Sequence, residues 1–91
     1  MYSRGETIRI EVEVYDSSTE QLTDPDTMEW RLITPSEEEV ASGGFSPIGT
    51  GRYQANVTIP ESGDTGIWKV KIIAEKGGLK SIEYLDLRVS T

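Results

Sequence analysis

Apolar and polar residues alternate along most of this chain with a period of two, the spacing that sends successive side chains to opposite faces of a strand. The cleanest run covers residues 7–15, where Ile8, Ile10, Val12 and Val14 share one face and Arg9, Glu11 and Glu13 the other. That pattern predicts a strand of an antiparallel sheet with one buried and one wet face. A second strand is predicted over residues 27–34, with Met28, Trp30 and Leu32 inward; Pro35 ends it because proline has no N–H to give a ladder. Three more follow: 52–59 with Tyr53, Ala55, Val57 and Ile59 inward, 66–75 with Trp68, Val70, Ile72 and Ala74 inward, and 80–89 with Leu85, Leu87 and Val89 inward. Residues 16–25 are rich in Asp, Ser and Thr and read as a long loop. The acidic stretch from Glu37 is too short to nucleate a helix, so it reads as a turn into a short edge strand at Val40–Ser42, after which Gly43, Gly44 and Pro47 punctuate a loop.

The last hairpin carries its own register. A two-residue type I′ turn at Gly77-Gly78 makes Lys76 face Leu79. Val70 then faces Leu85 and Trp68 faces Leu87 on the inner side, while Lys69 meets Asp86, Lys71 meets Tyr84 and Ile73 meets Ile82 on the outer side. Opposite charges meet and apolar residues meet, which supports the register. Glu83 falls inward beside Ile72, and this requires that end of the fold to be open to water. On the outer face, Ile33, Ile67, Ile73, Ile82 and Tyr84 collect on three strands. They are either an interface patch or the ordinary β-propensity of branched and aromatic side chains. Taken as a patch, they predict that any protein–protein contact, self-association included, uses Ile73, Ile82 and Tyr84, extended by Ile33.

Length and charge narrow the function classes. Ninety-one residues make a single domain, residues 1–91, with a modest core. The 16 acidic against 9 basic residues give a net charge of −7, which repels phosphate and so disfavours nucleic acid and anionic membrane surfaces. No apolar run approaches the ~18 residues a membrane span needs, and the N-terminus has no apolar leader segment. The start at Met1 fits either a domain cut from a longer secreted or surface protein or a small protein complete as it stands.

Candidate chemistry is sparse. The chain contains neither Cys nor His, so disulfides, thiolate metal sites and Ser-His-Asp triads are excluded. The four lysines, Lys69, Lys71, Lys76 and Lys80, fall on strand faces and a turn, where a Ser–Lys dyad would be solvated. Neither glycine pair opens a helix as a phosphate loop does. The chain therefore reads as a non-enzyme with no cofactor. Asp16, Asp24, Asp26 and Asp64 are loop carboxylates of the hard-oxygen type that calcium takes, but they lack the spacing of a calcium loop. Their other reading is structural: Asx turns at Asp24 and Asp26 and a turn cap at Asp64. Asn56-Val57-Thr58 is a formal glycosylation sequon in mid-strand.

Taken together, Trp30, Tyr53 and the run Asp64-Thr-Gly-Ile-Trp-Lys-Val70 resemble the immunoglobulin-like superfamily. Trp68 stands at the position of the tyrosine in strand F and Val70 at that of its cysteine, while Trp30 stands where strand C carries its tryptophan. No disulfide is possible, and an indole cannot make the tyrosine-corner hydroxyl bond. The chain is more similar to Cys-free bacterial, archaeal and phage Ig-like modules and to macroglobulin-type domains. The residues shared are the opening Tyr2–Ile10, the Asp24-Pro25-Asp26 run, Gly51-Arg-Tyr53 and Gly66-Ile-Trp68. This resemblance implies an all-β immunoglobulin-like sandwich of about seven antiparallel strands with Greek-key connections. It also implies a non-catalytic module, a spacer or protein-binding unit of a larger extracellular or cell-surface protein, whose partners are other proteins or neighbouring domains of its own chain. The alternative is a small structural protein of a phage virion or tail. The oligomeric state is left open.

Overall fold

The computed structural model describes residues 1–61 and 64–90. Eight strands are arranged in two sheets: β1 Tyr2–Ser3, β2 Thr7–Glu13, β3 Thr27–Ile33, β4 Glu39–Gly44, β5 Ser46–Gly49, β6 Arg52–Thr58, β7 Gly66–Lys76 and β8 Leu79–Ser90. The larger sheet has the order β1-β8-β7-β3-β4 and the smaller one β2-β6-β5. The chain crosses between sheets after β1, β2, β4 and β6, giving the Greek-key connections of an immunoglobulin-like sandwich. Among the described residues there is no helix.

The core lies where the alternation put it. Ile8 and Ile10 of β2 and Ala55 and Val57 of β6 face Trp30, Leu32, Trp68, Val70, Leu87 and Val89 of the larger sheet, with Ile59 beside them. Trp68 is 1% exposed, and its indole N–H donates to the Asp64 carbonyl at 2.7 Å, so its one polar atom is satisfied. Trp30 lies flat over β4. A Cβ on Gly43 would sit 2.8 Å from Trp30 Cζ2, so only glycine lets the indole approach and donate to the Gly44 carbonyl at 3.2 Å.

The hairpin register is the predicted one: Trp68 faces Leu87, Val70 faces Leu85, Lys69 faces Asp86 and Ile73 faces Ile82. Gly77 and Gly78 have φ of 58° and 82°, the two left-handed residues of a type I′ turn.

Four features differ from the sequence expectation. The strands number eight, and one pair is parallel, because Tyr2 and Ser3 run alongside Val89 and Ser90. Residues 46–49, expected as loop, form β5 on the edge of the small sheet, where Pro47 is tolerated next to a break in register. Leu85, expected in the core, is 39% exposed: three strands do not cover the whole inner face of five. Ile73, expected on the exposed outer face, is on that face but only 8% exposed, because β7 is an interior strand flanked there by Glu29 and Ile82.

Candidate functional site

The loop aspartates come first, since they were the candidate cation ligands. Asp16 Oδ1 accepts from the Ser18 N–H at 2.8 Å, the Ser18 hydroxyl at 2.5 Å and the Thr19 N–H at 3.3 Å, an Asx turn that starts the β2–β3 loop. These bonds, the Ser18 hydroxyl foremost, hold its carboxyl below the ordinary carboxylate value. Asp24 Oδ1 accepts from the Gly51 N–H at 2.8 Å and the Tyr53 hydroxyl at 2.9 Å, and the same two bonds lower its pKa. Asp26 Oδ2 accepts from the Gly77 N–H at 2.9 Å. Asp64 offers its carbonyl to Trp68.

Asp24 and Asp26 do not form the expected Asx turns but reach N–H groups 27 and 51 positions away, and among the described residues no three carboxylates converge on one point. Asp24 is the most informative. It ties the β2–β3 loop to the β5–β6 turn and to Tyr53 of β6, a polar corner built on a tyrosine hydroxyl. Gly51 makes the corner possible. Its φ is +67°, and a Cβ there would lie 2.8 Å from the Thr23 nitrogen. Burial, then the bond to Asp24, pushes the Tyr53 phenol up.

A cleft of about 580 Å³ opens at the end of the sandwich, where the β7–β8 hairpin runs past the small sheet. Tyr15, Thr23, Lys76 and Leu79 line it, with Ala74 at its base, and the Lys76 ammonium donates to the Thr23 hydroxyl. Glu83 lines a neighbouring recess of about 250 Å³ beside Ile72 and is exposed, as the open end required. The titratable groups here are already engaged: Tyr15 donates to Glu13 at 2.8 Å, a bond that raises its phenol pKa, and Lys80 pairs with Glu75 at 3.3 Å. Such a cleft can hold an extended segment or small polar molecule.

The outer face of β3, β7 and β8 holds the apolar candidates, arranged in rows set by the register. One row is Glu29, Ile73, Ile82; the next is Arg31, Lys71, Tyr84; the third is Ile33, Lys69, Asp86. Ile82 and Tyr84 are 44% and 57% exposed, and Ile73 forms the buried floor beside Ile82. Lys69 reaches over the Tyr84 ring at 6.0 Å. Ile33 does not join this strip: the Arg31–Lys71 row separates it from Ile73, and it lies instead near Ile67, on a second, smaller apolar area. The surface is thus an Ile82–Tyr84 strip with charged neighbours on each side. Sequence reasoning placed Ile82 and Tyr84 on this face but not the pairing of β1 with the end of β8, which no alternation encodes.

No family model matches this chain, and no curated protein matches it. Solved structures do, two bacterial alpha-2-macroglobulins among them. Salmonella alpha-2-macroglobulin reacted with methylamine aligns over 99% of this chain with a TM-score of 0.75 and 22% identity. Trypsin-activated alpha-2-macroglobulin from Escherichia coli aligns over 97% with a TM-score of 0.72 and 23% identity. This chain spans 6% of the length of each of those proteins. At such identities the likeness concerns the fold, which is that of a macroglobulin-type, immunoglobulin-like domain.

Proposed function

We propose that this domain is a non-catalytic module of a larger cell-surface or secreted protein, where it acts as a spacer or protein-binding unit. The observation that carries this reading is the exposed Ile82–Tyr84 strip, rimmed by Lys69, Lys71 and Asp86. An apolar centre with a charged rim is the usual anatomy of a protein contact. A fold that makes up 6% of two far longer chains supports the idea of one module among several. Partners are then neighbouring domains of the same chain or a separate protein, and the acidic surface keeps nucleic acid away.

The coding sequence on either side of residues 1–91 tests this directly. Further Ig-like repeats behind an export signal are the expected result. A complete short reading frame among capsid genes would overturn it in favour of a virion protein.

A further inference from the structure

The outer face of the larger sheet differs in charge from the rest of the molecule. Its strands β4, β3, β7 and β8 present five of the nine basic residues there but only four of the sixteen acidic ones. The face is therefore close to neutral on a chain of net charge −7, while the remaining surface is acidic and repels a second copy. The charges are also ordered along the strands. On β7, Glu75 stands at one end of the strip and Lys69 at the other; on β8, Lys80 and Asp86 stand in the opposite order. On β3, Glu29 and Arg31 fall on either side of the middle, level with Ile73 and Lys71. Reversing the strand direction thus sets each of these charges against its opposite.

We propose that two copies of the chain stack outer face to outer face, about a twofold axis crossing the strands between Ile73 and Lys71. Ile82 then meets the partner's Tyr84, Glu75 the partner's Lys69, Lys80 the partner's Asp86 and Glu29 the partner's Arg31, each contact appearing twice. The centre is apolar and the margin is made of ion pairs, as in a protein interface. Lys71, which has no carboxylate partner among the described residues, comes to lie beside the partner's Glu29. Other axes are poorer. One along β7 sets Lys69 and Lys71 against their own copies, and one along β8 does the same to Lys80 and Asp86. An axis between β7 and β8 keeps opposite charges together, Lys69 against the partner's Asp86, but leaves β3 uncovered.

Four strands about 4.8 Å apart and five rows about 7 Å apart present roughly 500 Å² per copy, against about 800 Å² in a standard interface, so the pairing is weak and reversible. A further strand beside β8 would extend the sheet in its own plane and leave this face open, so the contact does not depend on that edge. The inference rests on the Ile82–Tyr84 strip being a contact surface, and it names the partner and the geometry.

Sedimentation of the 91-residue chain over a range of concentrations tests it, with the unfolding midpoint of each variant as a folding control. The wild type is expected to dimerise reversibly, and Ile82→Ser to weaken the dimer roughly tenfold. Lys69→Glu and Glu75→Lys should each weaken it roughly fivefold or more, since every ion pair occurs twice. Combining the two should restore it. The two positions lie about 20 Å apart on β7, too far to touch within one chain. Within the chain each change also sets like charges across the ladder, at Asp86 and Lys80, so recovery can come only from contact between copies. A wild type that stays monomeric at millimolar concentration would overturn the second copy as partner while leaving the strip open to another protein. A combined variant no tighter than the single ones would overturn the stacking geometry, and recovery with Lys69→Glu plus Asp86→Lys instead would replace its axis by the one between β7 and β8. A dimer indifferent to Ile82→Ser would contradict the strip itself as a contact surface.

Discussion

Three residues show how little separates local chemistry from fold here. Trp68 is sealed between the sheets with its N–H satisfied, so Trp68→Ala removes a large buried volume and also takes the indole donor from the Asp64 carbonyl. Denaturant unfolding should show a loss of about 3–5 kcal/mol, and a loss below about 1 kcal/mol would mean the indole is not core. Asp24 acts through its charge. Its folded pKa lies below the ordinary value of 3.8, as does that of Asp16, so both contribute stability above that pH and lose it as pH falls through their lowered values. The unfolding midpoint should therefore drop below about pH 3.8, and Asp24→Ala should drop less steeply over that range while starting lower at neutral pH. Gly51 could be placed in a turn from sequence alone. Its partnership with Asp24, 27 positions away, could not, because a hydrogen bond between distant loops leaves no periodic trace.

At the level of elements, the period-two alternation specified β2, β3, β6, β7 and β8 together with their inward faces, and the glycine pair specified the β7–β8 register residue by residue. What alternation does not encode is how far a neighbouring strand or sheet extends. Ile73 and Ile82 face each other and look alike in sequence, yet Ile73 sits on an interior strand and Ile82 on the rim, so their exposures are 8% and 44%. Leu85 is the converse case: its inward position is correct, but no strand of the small sheet caps it. These exposures separate two substitutions that sequence alone treats as equivalent. Ile73→Ser should cost about 1–3 kcal/mol in denaturant unfolding, whereas Ile82→Ser should change stability by less than about 0.5 kcal/mol. Equal losses would place both residues in the same environment and contradict the strand order.

The whole molecule is elongated, 43 × 23 × 18 Å, because the β7–β8 hairpin outruns the sheet packed against it. That overhang gives the domain its open end, while the short reach of β1 leaves residues 79–88 of β8 without a second neighbouring strand among the described residues. The account stands on this asymmetry, and residue-resolved amide exchange of β8 by NMR in dilute solution measures it most directly. Ser81, Glu83, Leu85 and Leu87, bonded to β7, should be protected, while Lys80, Ile82, Tyr84 and Asp86 should exchange freely, an alternation that only a bare edge produces. Uniform protection of residues 80–87 at concentrations where the chain is monomeric would mean that the edge is covered from within, and would contradict the account.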